Sequence, residues 1–83
     1  MKKIYAIRDT RADYFNPPFF NNTHGEAERN FQNLVNEKDS RIALHPADYD
    51  LYYIGDYDDK EGTIVPQKLP QLVASAASLV RSN

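Results

Sequence analysis

Residues 45–65 constrain the fold of this 83-residue chain more than any other segment, because they predict a β-hairpin. Leu51–Ile54 is a run of four apolar or aromatic residues, which is typical of a buried strand. The polar run Asp58–Gly62 follows and ends in a glycine, which can adopt the positive φ that a turn of this length requires. Thr63–Val65 is β-branched throughout and predicts a returning strand that ends at Pro66, which has no N–H to donate.

A helix is predicted before the hairpin. Thr23 is followed three residues later by Glu26, the spacing of a capping box in which each side chain accepts the other residue's backbone N–H. Apolar residues then recur at helical spacing, at Ala27, Phe31, Leu34 and Val35. We therefore predict a helix from about His24 to about Glu37 with one buried face.

Three further segments come before the hairpin or between it and the helix. Lys3–Arg8 indicates a strand that is apolar on both faces. Arg11–Asn22 is expected to be a loop, held extended by two consecutive prolines. Arg41–Leu44 is expected to be a short extended segment before the hairpin.

The C-terminal part of the chain predicts a second, shorter helix. After a linker at Gln67–Pro70, apolar residues in Gln71–Arg81 lie on one side of a helix, with a disordered tail as the alternative. The predicted fold class is α+β: a single small domain of β-α-β-β order with a three-stranded mixed sheet, one helix packed on it and a short C-terminal helix. Residues 1–66 are the predicted core domain, and residues 67–83 are the linker with the helix or tail.

Composition and charge narrow the classes of function. The absence of cysteine excludes disulfides, zinc–thiolate sites and thiol catalysis. The net charge of −2 disfavours nonspecific binding to polyanions, but residues 1–25 carry four cations against two carboxylates, while residues 48–62 are strongly acidic. No secretory signal or membrane-spanning run is expected, since the apolar run near the C-terminus is interrupted by serines.

The acidic turn and the two histidines do not predict a catalytic or metal site. Setting Gly62 in the glycine position of a calcium loop places Tyr57 where the first ligand belongs, so a solvated turn is the better interpretation. Neither His24 nor His45 accompanies a nucleophile motif. We therefore predict no catalytic residue, no metal ligand and no cofactor, and we expect a protein that is not an enzyme.

The N-terminal quarter mixes cations with aromatic rings, as surfaces that bind single-stranded nucleic acid do. The candidate nucleic-acid-binding residues are Lys2, Lys3, Arg8, Arg11, Tyr14 and Phe20. Cations of this kind meet phosphates, while rings stack on bases. The alternative is that Tyr5, Phe15 and Phe19 belong to the core and that the cations are ordinary surface residues.

The tyrosines of the hairpin alternate between the two faces of its first strand. Strict alternation places Tyr49, Leu51, Tyr53 and Gly55 on one face, and Tyr52, Ile54 and Asp56 on the other. One face is expected to be core, and the other to present a tyrosine to solvent, to a partner or to a base. Tyr52 and Tyr57 are the candidate partner-binding residues, because exposed tyrosine is favoured at interfaces.

Several motifs occur together in residues 1–65. The most specific is His-Pro-x-Asp-Tyr-x-Leu-x-x-Ile-Gly-x-aromatic-Asp-Asp at residues 45–59, and Pro18-Phe19-Phe20 and the helical set Thr23, Ala27, Arg29 and Phe31 accompany it. Together they resemble the small non-structural protein of gokushoviruses, which are single-stranded DNA phages of the microvirus type. The resemblance implies a non-enzymatic accessory protein in the host bacterial cytoplasm. It also implies a role in viral DNA replication, around the switch to single-stranded genome synthesis.

Two functional hypotheses follow. In the first, the protein binds single-stranded DNA weakly through the N-terminal strand and the Arg11–Phe20 segment. In the second, it is a protein-interaction module without nucleic-acid contact, which docks a phage or host replication or assembly factor through its tyrosine face or acidic hairpin. A homodimer fits either hypothesis, no membrane contact is expected, and a small enzyme or cation binder is the third alternative.

Overall fold

In the computed structural model, which describes residues 1–81, two long strands form the centre of a sheet and one helix packs on it. The strands are Lys2–Asp9 (β1), Tyr14–Phe15 (β2), Phe19–Asn21 (β3), Tyr49–Asp58 (β4) and Thr63–Ser75 (β5). The helices are His24–Val35 (α1) and Arg41–Leu44 (α2), and single 3₁₀ turns span Pro46–Asp48 and Ala76–Leu79. The α+β class is confirmed.

The sheet has five strands, and every strand pair in it is antiparallel. Its order is β2-β1-β4-β5, with β3 paired to the same edge of β1 as β2. The predicted three-stranded mixed sheet is therefore wrong. Since β3 and β4 both run antiparallel to β1, they run parallel to each other, and α1 crosses from β3 to β4 over β1. The predicted β-α-β crossover thus begins at β3, within the segment expected to be a loop.

The capping box forms in part. The Thr23 hydroxyl accepts the Glu26 N–H at 3.1 Å, as predicted. The Glu26 carboxylate, however, accepts from the Asn22 N–H at 3.1 Å and the Asn21 side-chain amide at 2.8 Å, and these bonds lower its pKa. It thereby joins the end of β3 to the start of α1.

The helix ends at Val35, two residues before the predicted end. There the Asn36 side-chain amide donates to the Gln32 carbonyl at 2.8 Å and to the Leu79 carbonyl at 3.0 Å. Leu34, expected on the buried stripe, is 37% exposed. The segment Arg41–Leu44 is also not extended but helical, because the Ser40 hydroxyl caps it by accepting the Ala43 N–H at 2.9 Å.

The core lies between α1 and one face of the sheet. Its least exposed large side chains are Tyr5, Phe31 and Leu51. In β4 the residues Tyr49, Leu51 and Tyr53 are buried while Tyr52 is half-buried, so the predicted alternation is confirmed over this part of the strand. The Tyr5 hydroxyl meets His24 Nδ1 at 2.5 Å, which fixes the middle of β1 to the first residue of α1.

The predicted linker and C-terminal helix are wrong, because β5 continues through both. Gln67–Pro70 lies within β5, and the strand reaches Ser75 before the 3₁₀ turn of Ala76–Leu79. The reason is that β4 is ten residues long, and a β5 of similar length is needed to supply hydrogen-bond partners for the backbone N–H and C=O groups of β4. The alternative prediction was a disordered C-terminal tail, of which residues 82–83 lie outside the described part of the chain.

Both outer edges of the sheet are interrupted by prolines. Pro17 and Pro18 separate β2 from β3 on one edge. On the other, β5 contains Pro66 and Pro70, and residues 67–70 bulge opposite Ile54. Proline and bulges on edge strands are devices that block pairing with a further strand.

Candidate nucleic-acid interface

The face of the sheet opposite α1, here called the open face, is built by residues that alternate with the core positions of each strand. Residues directly opposite in an antiparallel pair share a face, so the registers define its members. They are Lys2, Ile4, Ala6 and Arg8 of β1, Phe15 of β2, Phe20 of β3, Asp50, Tyr52 and Tyr57 of β4, and Ile64 and Leu72 of β5.

Two aromatic pairs cross β1 on the open face. The ring centres of Phe15 and Tyr52 are 5.4 Å apart with planes at 70°. Those of Phe20 and Tyr57 are 5.7 Å apart with planes at 60°. The first pair is edge-to-face and the second is tilted, and contacts of this kind hold the rings in place. Both phenylalanines remain accessible, Phe15 at 36% and Phe20 at 50% exposure, so ring surface is available to a ligand.

Two of the predicted cations lie beside these rings. The Arg8 guanidinium carbon is 5.4 Å from the Phe15 ring centre, and its Nη2 donates to Asp13 at 2.5 Å. Lys2 is exposed and lies opposite Tyr57 in the register. The open face therefore carries Lys2 at one end of β1 and Arg8, which is ion-paired with Asp13, at the other.

Lys3 lies on the other side of the sheet. Its Nζ is 3.9 Å from the Asp56 carboxylate and 5.2 Å from the ring centre of Tyr53, which belongs to the core. The prediction that Asp56 shares a face with Tyr52 is therefore wrong. Ile54 is an extra residue in β4, since Tyr53 pairs with Tyr5 and Gly55 with Ile4, and this bulge moves Asp56 to the helix side.

The acidic turn does not crowd the open face either. Asp58 Oδ1 accepts the N–H groups of Lys60 and Glu61 at 3.0 and 3.2 Å, so this carboxylate is used within the turn. Asp50 is the carboxylate that does lie on the open face, opposite Arg8. Within residues 1–81, no group of three or more histidine or acidic side chains is placed to hold a metal ion.

A groove of about 580 Å³ lies beside Phe15 on the same face. It is lined by Ala6, Tyr14, Phe15, Pro18, Ile54 and Pro70, among others. Tyr14 contributes to the rim of this groove, but in the register it lies opposite Asp9, on the helix side of the sheet. Sequence reasoning placed Phe15 in the core alternative, because its membership of a strand paired with β1 was not recognised; recognising β2 would have put it beside Arg8.

Arg11 is not brought to the open face. It lines a separate cleft of about 410 Å³ together with Arg41, His45 and three other residues. The structure thus unites Lys2, Arg8, Phe20, Tyr52 and Tyr57, and separates Tyr14, Lys3 and Arg11 from them. Arg41 was not among the candidates predicted from the sequence, because it lies far from Arg11 along the chain and no sequence pattern shows that the two are close in space.

The aromatic cluster on the opposite side of β1 provides a rigid support for the open face. Tyr5 is fully buried, and its ring stacks on Phe19 at 6.1 Å and contacts Tyr53 at 5.7 Å. Burial raises the pKa of Tyr5 to about 12. Burial, and after it the nearby Asp56 carboxylate, likewise raise the pKa of Tyr53. Tyr5 and Phe19 are therefore core residues, as the alternative interpretation held.

Comparison with known proteins gives one match. A family model described as Phage ORF5 protein matches residues 2–79 of the chain. Neither the curated proteins nor the solved structures gave a match. No helix within residues 1–81 is long and apolar enough to cross a membrane.

Proposed function

Because the chain belongs to the Phage ORF5 protein family, we propose that it is a non-enzymatic accessory protein of a gokushovirus-type phage that binds single-stranded DNA on the open face. Its place of action is the host bacterial cytoplasm, during viral DNA replication or single-stranded genome synthesis. One observation carries the proposal: the aromatic pairs Phe15–Tyr52 and Phe20–Tyr57 lie between Lys2 and Arg8 on a face that α1 leaves open.

The chemistry of this face suits an unpaired strand. Stacking of a base on an aromatic side chain contributes about 1–3 kcal/mol, and cations beside the rings meet the phosphates. Two accessible ring pairs correspond to about two stacked bases, which predicts weak binding. A phosphate contact at Lys2 predicts a salt slope of about −0.7 in log affinity against log salt concentration, and the slope reaches about −1.4 where a phosphate also replaces Asp13 on Arg8.

The same geometry favours single-stranded over duplex DNA. In a duplex the faces of the bases are already stacked on one another, so rings held on the surface of a sheet cannot reach them. The bulge at Ile54 also favours DNA binding, because it places Asp56 on the side of the sheet away from the bound DNA. Asp50 is then the one carboxylate of β4 on the open face.

The test is fluorescence anisotropy of a labelled single strand of ~30 nucleotides at 50 and 150 mM salt, with a duplex control. Phe20→Leu keeps an apolar side chain but removes the ring, and should weaken binding by about fivefold or more. Lys2→Ala should weaken binding and flatten the salt slope. Lys3→Ala removes the same charge from the other face and is the matched control.

Three results would contradict the proposal. The first is no binding by the wild-type protein even at 50 mM salt. The second is equal binding to duplex and single strand. The third is equal effects of Lys2→Ala and Lys3→Ala together with full binding by Phe20→Leu.

A second candidate function, docking of a protein partner on the same face, is favoured by its continuation onto β5. Ile64 and Leu72 lie there at 63% and 55% exposure and offer apolar area without rings for stacking. The partner would be a phage or host replication or assembly factor, or a second copy of the chain. Such packing would be insensitive to salt, and Leu72→Ser would weaken it while leaving DNA binding intact.

A further inference from the structure

A polar cleft lies at the end of the sheet where β1 ends and β4 begins. Its volume is about 410 Å³, and its lining residues are Asp9, Arg11, Arg41, His45, Asp48 and Tyr49. None of these residues enters the function proposed above; Arg11 was a candidate from the sequence, but it does not lie on the open face. The cleft brings together two guanidinium groups, an imidazole and a phenol from segments some thirty residues apart.

The walls of the cleft are held by hydrogen bonds that do not consume the guanidinium groups. Asp9 is buried, and its Oδ1 accepts the N–H groups of Arg11 and Ala12 at 3.1 and 3.0 Å. On the facing side, the backbone carbonyl of Asp48 accepts from the Thr10 N–H at 2.8 Å and from its hydroxyl at 2.9 Å. These bonds join the two sides of the cleft and fix its shape.

Neither guanidinium group is neutralised at close range. Among residues 1–81, the ion pairs within 4.0 Å are Lys3–Asp56 and Arg8–Asp13. The buried carboxylate of Asp9 is engaged by backbone N–H groups. Arg11 and Arg41 therefore face the cleft with their N–H donors available.

We propose that this cleft binds a phosphate group through Arg11 and Arg41, with His45 as a further donor. A guanidinium offers a planar fork of N–H donors that matches two phosphate oxygens, and two such groups converge here. Asp9 and Asp48 are the unfavourable neighbours, because both carboxylates line the cleft and repel an anion; that of Asp9 is engaged by backbone N–H groups. The phosphate is either free in solution or part of a nucleic-acid strand, and the experiment distinguishes the two.

The first arm uses inorganic phosphate and follows backbone amide shifts by NMR. Shifts that saturate at residues 9–12 and 41–49 are expected for the wild-type protein. Arg41→Ala should weaken this binding about tenfold, while Asp48→Asn should tighten it about threefold by removing one negative charge. Arg29→Ala, an exposed arginine on α1, is the matched control and should leave it unchanged. Absent shifts at these residues, or equal effects of Arg41→Ala and Arg29→Ala, would overturn the proposal.

The second arm uses the labelled single strand. If a strand phosphate occupies the cleft, Arg41→Ala removes one contact and reduces the salt slope by about 0.7. With affinities converging at 1 M salt, the loss is about eightfold at 50 mM and about threefold at 200 mM. Phosphate binding that depends on Arg41 while strand binding does not would support the site and assign it to free phosphate.

The proposal is independent of the function assigned to the open face. A wild-type protein that binds no DNA but binds phosphate in an Arg41-dependent manner would refute the open-face function and support the cleft. If the wild-type protein binds DNA, and Arg41→Ala and Arg29→Ala have equal effects on both phosphate and DNA binding, the open-face function is supported and the cleft is refuted.

Discussion

Gly55 is the position where one added methyl group should have the largest effect on stability. It lies on β4 at the bulge, paired with Ile4 on one side and Pro66 on the other. A Cβ added there would be 2.8 Å from the Val65 carbonyl oxygen and 3.1 Å from the Pro66 Cα. Both are backbone atoms of β5, so they cannot rotate away, and relief requires that the strand itself move.

The expected cost follows from that clash. Overpacking of a filled site costs about 1–3 kcal/mol. Replacing glycine with alanine also removes conformational freedom from the unfolded chain, which returns about 0.4–1 kcal/mol. The net expectation for Gly55→Ala is a loss of about 1–2 kcal/mol from a total of about 4–12 kcal/mol for a chain of this length. In a domain of this size that corresponds to a drop in Tm of about 5–15 °C.

The other two glycines are internal controls. Gly25 lies in the first turn of α1, and its added Cβ would meet the nearest atom, Thr23 Oγ1, at 3.9 Å. Gly25→Ala should therefore raise stability slightly, by up to about 1 kcal/mol. Gly62 has φ +68° and open space around it, so Gly62→Ala should cost about 1 kcal/mol through backbone strain alone.

The assay is thermal and urea unfolding of the three variants followed by circular dichroism. The expected order of stability is Gly25→Ala, wild type, Gly62→Ala and then Gly55→Ala. A Gly55→Ala variant as stable as Gly25→Ala would refute the reasoning, because it would mean that β5 does not pass close to β4 at this point.

Two further predictions concern the core and the end of α1. Because the pKa of Tyr5 is raised to about 12 from a usual value near 10, its contribution to stability should be full below pH 10 and should fall as the pH rises toward 12. Urea unfolding of Tyr5→Phe at pH 9 and 11 should therefore show a smaller loss of stability between the two pH values than the wild type does. An equal loss in both proteins would contradict this prediction. The Asn36 side chain donates to the Gln32 and Leu79 carbonyls and accepts the Arg81 N–H at 2.8 Å. Asn36→Ala should therefore lower the free energy of unfolding by about 1–3 kcal/mol and reduce amide-exchange protection at residues 76–81 more than in β1. A uniform loss of protection would show that these bonds do not hold residues 76–81 locally.

The elements predicted correctly depend on neighbours along the chain. Alternation from Tyr49 to Tyr53 reflects the two-residue period of a strand, and Thr23 caps α1 through a bond that spans three residues. The turn at Gly62 is also local, and its positive φ is confirmed. Each of these features depends on residues only a few positions apart, so it can be predicted from the sequence without knowledge of the tertiary structure.

The elements that were missed depend on distant partners. Phe19–Asn21 is three residues long and follows two prolines, so propensity alone cannot make it a strand; it is one because Phe19, Phe20 and Asn21 pair with β1. Residues 71–75 have apolar spacing that also suits a helix, but β4 needs a partner there and pairing decides the outcome.

The site shows the same limit. Sequence reasoning selected most of the aromatic and cationic residues of the open face, but it counted alternation through Ile54 as though β4 were regular. One extra residue at the bulge reverses the side of Asp56, and with it the electrostatic character of the face. No pattern in the sequence marks a bulge, because it arises from the register between β1 and β4.

The proline-interrupted edges have a consequence for solubility. A five-stranded sheet with an uncovered apolar face would ordinarily be at risk of growing sideways into a fibril, strand by strand. Pro17 and Pro18 on one edge, and Pro66 and Pro70 on the other, have no N–H to donate, so neither edge offers an unbroken row of donors for such growth. Pairing between copies through these edges is therefore disfavoured, so contacts between faces are the expected route of association.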